Sequence, residues 1–181
     1  VWRGTEEGLK VMVVNPVIVL GPGDFKRSSS TMFALAHKGF RWYPSGSNGF
    51  VSASDVARAC HLLATHECWN NRFMLCAENL AYRQVLTWMA EALKTPPPIR
   101  RLRGWMLGLA WRFGRVLELV TGRKSPITRE SVQNTSKKHA YASDFLERTL
   151  ESKGVQWQYE SIEKVILETA PHVVDALGQA K

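Results

Sequence analysis

Residues 9–15 form the clearest structural pattern in the chain, because residues 11–14 are all apolar. A strand that is apolar on both faces must be covered on both faces, which is typical of parallel sheets in α/β proteins. Pro16 ends this predicted strand, since proline has no N–H to donate to a sheet, and residues 20–23 have the composition of a turn. Ligands of open α/β sheets bind beyond the carboxyl ends of strands, so residues 15–24 are the first candidate site.

The remaining hydrophobic pattern predicts mostly helices with a few short strands. Helices are predicted over residues 28–38, 54–66, 82–93, 102–120, 128–135, 141–150 and 161–177, and strands over residues 40–43, 50–52 and 72–76. Residues 44–49, which contain an Asn48-Gly49 pair, are predicted as a turn. The predicted strands are too few and too short to cover a strand that is apolar on both faces. The chain is therefore expected to be part of a larger α/β protein.

The composition is that of a soluble globular protein, since the 181 residues are 45% hydrophobic and 22% charged. Three cysteines are an odd number without metal-ligand spacing, which favours a reducing, cytoplasmic location. Cys60, His61, His66 and Cys68 include residue types that bind metals, but the two histidines are five residues apart and do not align on one helix face. No metal site is expected.

The net charge of +8 is concentrated in one segment, because residues 100–124 hold seven basic residues and one acidic residue. The rest of the chain is nearly neutral, which argues against a nucleic-acid-binding protein. Residues 102–120 are predicted to form an amphipathic helix that arginines interrupt too often for a transmembrane span. Three roles remain open for this helix: packing on the substrate side of an enzyme, docking against another subunit as in a homodimer, or peripheral contact with an anionic membrane.

Four segments carry a family resemblance, and they occur in the family's order. They are Asn-Pro-Val-Ile-Val-Leu-Gly-Pro-Gly-Asp at residues 15–24, Gly-Ser-Asn-Gly-Phe-Val at 46–51, Ser-Asp-Val-Ala-Arg-Ala at 54–59 and Arg-Phe-Met-Leu-Cys-Ala-Glu-Asn-Leu-Ala-Tyr-Arg at 72–83. Together they resemble the extended short-chain dehydrogenase/reductases, in particular the dihydroflavonol-reductase-like group of NAD-dependent epimerases and dehydratases. The resemblance covers most of residues 5–98 and returns weakly around residues 127–150.

The resemblance implies an α/β fold, namely the C-terminal part of a Rossmann-type NAD(P)-binding fold with a mostly helical substrate-side subdomain. Residues 1–98 would hold the end of the sheet and interleaved substrate-side elements, and residues 99–181 would form the helical C-terminal region. The family's Gly-x-x-Gly-x-x-Gly and Tyr-x-x-x-Lys motifs have no counterpart in this sequence. The chain is therefore expected to be a substrate-side segment that is inactive alone, and no residue of it is predicted to be catalytic.

The implied activity is hydride transfer to or from a carbonyl or alcohol carbon of a small molecule, in a reductase, dehydrogenase or epimerase. The expected cofactor is NAD or NADP, with NADP slightly favoured. The alternative is a non-catalytic basic module, built around residues 102–124, that contacts a membrane or another protein. The substrate and the oligomeric state are left open.

The resemblance also assigns candidate cofactor residues. Main-chain groups of Asn15, Pro16 and Val17 would bind the nicotinamide carboxamide, and the side chains of Val17 and Val19 would pack beside the ring. Two further candidates follow the loop: Lys26 and Arg27 would meet the 2′-phosphate or the pyrophosphate, the alternative being a solvated loop.

Four aromatic residues are candidates for the substrate pocket. These are Phe25, Phe40, Trp42 and Tyr43. The alternative is that they are core aromatics without a function of their own, and the sequence leaves both interpretations open.

Overall fold

The computed structural model describes residues 2–25, 27–102 and 137–178. Helices and short strands are interspersed along this part of the chain. In order they are α1 (Trp2–Glu6), β1 (Met12–Pro16), β2 (Ile18–Leu20), α2 (Thr31–His37), β3 (Trp42–Tyr43), β4 (Ser47–Ser52), α3 (Ala53–Thr65), β5 (Asn71–Leu75), β6 (Glu78–Ala81), α4 (Tyr82–Ala92), β7 (Arg100–Arg101), α5 (Asp144–Glu151) and α6 (Ile162–Leu177).

Parallel strand pairs dominate the described sheets. β1 pairs with β5, β2 pairs with β4, and β3 pairs with β7, each in parallel orientation. β6 is the exception, since it runs antiparallel to β4 and makes the β2–β4–β6 sheet mixed. Parallel pairs that are connected through helices confirm the α/β class predicted from the sequence.

Two hydrophobic cores flank β4, and successive residues of this strand enter different cores. Phe50 belongs to the first core, which β2 and β4 form with α2, α4 and α6. Val51 belongs to the second core, which β4 and β5 form with α3 and α5. Both side chains are fully buried, as expected for a strand whose side chains alternate between two covered faces.

Both cores draw residues from each side of the predicted boundary at residues 98 and 99. In the first core, Ile162 and Ile166 of α6 join residues 20–93, and in the second core Leu146 and Leu150 of α5 join residues 51–75. The described part of residues 99–181 therefore packs against residues 1–98 without a core of its own. The division into two regions stays a prediction.

The turn predicted over residues 44–49 is wrong, because β4 already begins at Ser47. Asn48-Gly49 is a common hairpin turn, but here both residues pair with β6, with Asn48 opposite Leu80 and Gly49 opposite Asn79. β6 itself was not predicted. Its Glu-Asn-Leu-Ala sequence has neither β-branched nor aromatic residues, so the strand depends on its long-range partner β4.

Other predicted elements are present with shifted ends. The strand predicted over residues 9–15 begins at Met12, and the helix predicted from residue 141 begins at Asp144. A short 3-10 turn occupies Ser28–Ser30 before α2, and Gly39, with a φ of +67°, follows the end of that helix. The helix predicted over residues 102–120, apart from Leu102, and the helix predicted over residues 128–135 lie outside the described residues. No helix of the described part is long and apolar enough to cross a membrane.

A buried carboxylate joins α3 to the segment before α6. Asp55 is 1% exposed, receives an N–H from Glu160 at 3.0 Å and pairs with Arg58 at 2.6 Å. The Arg58 guanidinium lies over the Trp157 ring, 4.3 Å from its centroid. Ser54 donates a hydrogen bond to Glu160 and thereby lowers the pKa of that carboxyl. Asp55 therefore positions residues 157–160 against the sheet.

We expect Asp55→Ala to destabilise the fold by about 2 kcal/mol, because the Glu160 N–H and Arg58 lose a buried acceptor. With a urea m-value of about 2 kcal/mol/M, the midpoint falls by about 1 M. The matched control is Asp144→Ala, which breaks an exposed Asp144–Arg148 pair of 2.7 Å and should cost at most about 0.5 kcal/mol. Equal midpoints for the two variants would contradict the assigned role of Asp55.

Candidate functional site

A cavity of about 660 Å³ lies beside β2, between α2 and the segment that contains β3 and the start of β4. Its wall combines residues from distant parts of the chain. The residues are Val17, Ile18, Val19, Ser28, Ser29, Met32, Leu35, Phe40, Trp42, Pro44, Asn48, Tyr82, Leu86, Leu102 and Tyr141. None of these residues carries a charged side chain, and most are apolar.

Val17 and Val19 form the wall that continues from β1. The Val17 N–H donates to the Leu75 carbonyl at 3.1 Å, and the Ser29 hydroxyl donates to the Val19 carbonyl at 2.5 Å. These bonds hold the chain on either side of Ile18, and Val17 and Val19 both line the cavity while also packing against the second core. The two residues predicted to pack beside a nicotinamide ring thus border one space.

Phe40 and Trp42 form an aromatic part of the same wall. The Arg100 guanidinium lies 5.5 Å from the centroid of the Trp42 ring, in the range of a cation–π contact. Two of the four aromatic residues predicted for the substrate pocket therefore line the same cavity as Val17 and Val19, the valines predicted to contact the cofactor. This convergence joins residues 21 or more positions apart in the sequence.

The other two aromatic residues lie elsewhere. Phe25 is 3% exposed and packs edge-to-face on Phe33 in the first core, with ring centroids 6.0 Å apart. Tyr43 does not line the cavity, and the Arg83 guanidinium lies 5.4 Å from its ring centroid. For Phe25 this packing favours the alternative interpretation as a core aromatic.

The polar end of the cavity is formed by Asn48 and Tyr82. The Asn48 amide donates to the Tyr82 hydroxyl at 3.0 Å, and the Tyr82 ring packs edge-to-face on Phe50. Burial raises the pKa of Tyr82, the hydrogen bond from Asn48 opposes this rise, and nearby Tyr141 adds to it. The phenol therefore stays protonated near neutral pH and keeps an O–H to donate.

Tyr141 reaches the cavity because Asn79 holds its backbone. The Asn79 side chain accepts the Tyr141 N–H and donates to the Tyr141 carbonyl, both at 2.9 Å. Ser143, two residues on, donates to the Cys76 carbonyl at 2.6 Å. These bonds fix residues 139–143 along the strand ends.

Gly49 allows three parts of the chain to approach each other behind the cavity. A Cβ atom at this position would lie 2.8 Å from Cys76 Sγ, 2.9 Å from a Tyr141 ring carbon and 3.0 Å from a Val17 methyl group. Real Cβ atoms essentially never come within less than 3.0 Å of another heavy atom, so the Cys76 sulfur and the Tyr141 ring would have to shift. The glycine in the Gly-Ser-Asn-Gly-Phe-Val segment thus serves close packing rather than a turn.

Three further predicted cofactor residues, Asn15, Pro16 and Arg27, do not line the cavity. Asn15 and Pro16 are the last two residues of β1 and pair with Met74 and Leu75. Arg27 is exposed and lies 3.6 Å from Asp24 in an ion pair. Lys26 lies outside the described residues. The roles of these four residues stay predictions.

The cysteines and histidines of the predicted cluster do not converge. Cys60 is half-buried and Cys68 is buried, and both are free thiols. Over residues 2–25, 27–102 and 137–178, no group of three or more His, Cys, Asp or Glu residues could hold a metal ion. Burial raises the pKa of the Cys76 thiol, which stays protonated near neutral pH.

Sequence reasoning missed Asn48, Tyr82 and Tyr141 as site residues. The sequence pattern predicts Asn48 in a turn, and neither tyrosine is followed four residues on by a lysine, so neither matches the Tyr-x-x-x-Lys motif. A signal for Tyr82 existed, because the Tyr of the Glu-Asn-Leu-Ala-Tyr segment begins α4 beside the strand ends. The contacts of Asn48 and Tyr141 depend on long-range pairing that no local pattern reveals.

Comparison with known proteins gives two curated relatives of part of the chain. Sterol demethylase protein B of Methylococcus capsulatus is 34% identical over 94 residues, which are 50% of this chain and 28% of that protein. Tetraketide alpha-pyrone reductase 2 of Arabidopsis thaliana is 38% identical over 85 residues, which are 45% of this chain and 26% of that protein. No protein-family model matches the chain.

Solved structures of similar fold cover nearly the whole chain. A nucleoside-diphosphate-sugar epimerase from Pseudomonas aeruginosa has a TM-score of 0.66 at 18% identity, covering 99% of this chain and 52% of its own. A UDP-glucose 4-epimerase from Thermus thermophilus in complex with NAD has a TM-score of 0.62 at 17% identity, covering 97% and 50%. This chain thus spans about half the length of these structures.

These similarities agree with the order of the four sequence segments and with the parallel strand pairs. They confirm the fold and the resemblance that the sequence indicated. The chain has a Rossmann-type α/β fold and is similar to the C-terminal portion of extended short-chain dehydrogenase/reductases of the epimerase/dehydratase group.

Proposed function

We propose that this chain forms the substrate-side part of an NAD(P)-dependent oxidoreductase that moves hydride between nicotinamide and a carbonyl or alcohol carbon. One observation carries the proposal: a single cavity is bordered by Val17 and Val19 on one side and by Phe40 and Trp42 on another. Hydride transfer requires the ring and the substrate carbon to be in contact, so cofactor and substrate residues must share one space.

The nicotinamide cofactor supplies the hydride chemistry when it is bound, and the protein positions it. Val17 and Val19 fit this group, since both are apolar and both line the cavity. Pro16 has no N–H, and the Val17 N–H is bonded to the Leu75 carbonyl. The carboxamide would therefore have to be bound by main-chain carbonyl oxygens of residues 15–17 or by Asn15.

The preference for NADP rests on Arg27 and Lys26. The Arg27 side chain is 87% exposed, so it is free to reach a phosphate group, and its ion pair with Asp24 is exposed and weak. A 2′-phosphate would offer Arg27 a charge-assisted hydrogen bond. We infer that NADP is used in preference to NAD.

The cavity wall favours an uncharged, largely apolar carbonyl compound as substrate. Among the described lining residues, most are aliphatic or aromatic and none carries a charge. A nucleoside diphosphate sugar brings two phosphate charges, which cannot be buried without cations or several donors. The names of the two curated relatives refer to a sterol and to a tetraketide pyrone, which agree with this class.

Tyr82 is the residue that would bind the substrate oxygen. It is a buried, protonated phenol at the polar end of an apolar cavity, and Asn48 fixes the position of its hydroxyl. It is not a substitute for the family's acid/base tyrosine, because the residue four positions after it is Leu86 rather than lysine. The proton-transfer group of the reaction is therefore expected outside this chain.

The assay that tests the proposal uses the longer protein that carries this chain, a steroid ketone and UDP-glucose as alternative substrates, and NADPH or NADH. We expect NADPH-dependent reduction of the steroid ketone, no turnover of UDP-glucose, and no turnover of either by residues 1–181 alone. Conversion of UDP-glucose without reduction of the ketone would overturn the substrate class. Reduction by residues 1–181 alone would overturn the predicted inactivity of the segment.

Tyr82→Phe should raise the KM for the ketone about fivefold and change kcat less, because one neutral hydrogen bond of about 1 kcal/mol is lost. The matched control is Tyr43→Phe, since Tyr43 lies outside the cavity wall and should leave both constants unchanged. A Tyr82→Phe enzyme that loses kcat by several orders of magnitude would instead assign proton transfer to this phenol.

Pro16→Asp in the longer protein should lower kcat more than it weakens cofactor binding. The substitution disturbs the chain that leads into Val17, and a displacement of the ring by about 1 Å can reduce the rate roughly 100-fold. Dinucleotide affinity depends largely on the pyrophosphate at a helix N-terminus, which this loop does not provide. Fluorescence titration of NADPH and steady-state kinetics measure the two effects. An unchanged kcat would refute the placement of the ring at this loop.

A further inference from the structure

Two tyrosines, Tyr82 and Tyr141, line the cavity beside β2. Burial is the main cause of the raised pKa of Tyr82, and the nearby Tyr141 phenol adds to it, so the two phenol groups lie close together. The Tyr82 hydroxyl accepts its hydrogen bond from Asn48 and not from Tyr141, which leaves the proton of each phenol available. The cavity therefore has two neighbouring phenol donors.

The Tyr141 hydroxyl is open to a ligand. None of the described residues hydrogen-bonds to it, and it is not among the buried polar atoms that lack a partner. Since the residue is half-buried and lines the cavity, this hydroxyl has accessible surface without having a partner inside the protein.

Backbone and ring contacts both hold Tyr141 in place. Asn79 binds the N–H and the carbonyl of residue 141, each at 2.9 Å. The His139 N–H donates to the Ser47 carbonyl at 3.1 Å, and the His139 ring stacks on the Tyr141 ring with centroids 6.2 Å and planes 19° apart. A side chain that is ordered before its ligand arrives binds it at a lower entropic cost.

One short stretch of chain positions both phenols. Asn79 lies opposite Gly49 in the pair of β6 with β4, and three residues later Tyr82 begins α4, where its N–H donates to the Gly46 carbonyl at 3.2 Å. The separation of the two phenols is therefore set by residues 79–82 and their pairing with β4.

The lone pairs of a carbonyl oxygen decide what the second phenol is able to bind. A carbonyl oxygen accepts two hydrogen bonds. In the proposed oxidoreductase, Tyr82 donates to one lone pair of the reacting carbonyl, and the proton-transfer group outside this chain has to reach the other. Tyr141 then has no acceptor on the same oxygen and needs a second oxygen atom of the ligand.

We propose that Tyr141 is a specificity-determining residue that selects apolar ketones with a second uncharged oxygen. Tyr82 binds the reacting carbonyl, and Tyr141 binds the second oxygen, which belongs to a hydroxyl or to another carbonyl group. A ketone without this oxygen leaves the Tyr141 hydroxyl to water and loses one neutral hydrogen bond, about fivefold in affinity. This inference rests on the proposed function, because it takes Tyr82 as the residue that binds the reacting carbonyl.

Binding is the quantity to measure, because it does not depend on turnover. The longer protein that carries this chain is titrated by calorimetry, with and without NADP⁺. The ligands are 1-tetralone and its 4-hydroxy, 5-hydroxy and 7-hydroxy derivatives, which add one oxygen at different positions of the same bicyclic ketone. We expect at least one hydroxytetralone to bind about fivefold more tightly than 1-tetralone, which corresponds to one additional neutral hydrogen bond.

Tyr141→Phe should abolish this preference, so that the hydroxytetralone binds no more tightly than 1-tetralone. Tyr82→Phe should weaken all four ligands by a similar factor of about five, and the two effects should add in the double variant, because the phenols bind different oxygens. Asn79→Ala should reduce the preference as well, since it releases the backbone of residue 141 although Asn79 does not line the cavity. Tyr43→Phe is the matched control and should change none of the affinities.

A Tyr141→Phe protein that keeps the preference overturns the proposal. It is also overturned if Tyr141→Phe weakens 1-tetralone as much as the hydroxytetralone, because both phenols would then bind one carbonyl, or if no tetralone binds. The first two results leave the proposed reaction standing. The expected binding pattern without reduction of any tetralone by NADPH would instead refute the proposed reaction and retain the two-oxygen site.

Discussion

The burial of β4 on both faces is the constraint on which the rest of the described structure depends. Phe50 and Val51 are both fully buried, yet they enter different cores, so β4 separates the helices α2, α4 and α6 from α3 and α5. The strand also pairs on both edges, with β2 and with β6. A polar residue at position 50 would therefore disrupt the first core, and a polar residue at position 51 would disrupt the second. A one-residue shift in the pairing of β4 would not remove the disruption, because both faces of the strand are buried.

The same alternation places the candidate site. Asn48 and Phe50 lie on one face of β4 and both contact Tyr82, by a hydrogen bond and by an edge-to-face ring contact. Gly49 and Val51 lie on the other face, where Gly49 leaves room for Val17 and Cys76. The cavity thus follows from the packing of one strand. A substitution that displaces β4 would displace both the apolar and the polar residues that line the cavity.

The sequence predicted those features that local patterns determine. Examples are the apolar run before Pro16, the helix that begins at Tyr82, the helix that ends at Leu177, and the α/β class. Each depends on hydrophobic periodicity or on residues that end helices and strands, within a short stretch of sequence. β6 and the N-terminal half of β4 were missed because their pairing partners lie some 30 residues away. Within the site, Val17, Val19, Phe40 and Trp42 line one cavity while their roles stay predictions, whereas Asn48 and Tyr141 depend on contacts that only the folded chain reveals.

The electrostatics of Tyr82 indicate whether this residue binds the substrate or transfers the proton in the proposed enzyme. An acid/base tyrosine needs a cation nearby to lower its pKa towards neutrality, whereas burial raises the pKa of Tyr82 and none of the described residues that line the cavity bears a charge. Such a phenol binds a carbonyl oxygen well but releases its proton poorly. In the proposed enzyme this cavity would therefore bind and orient the substrate, and the group that transfers the proton would lie outside this chain.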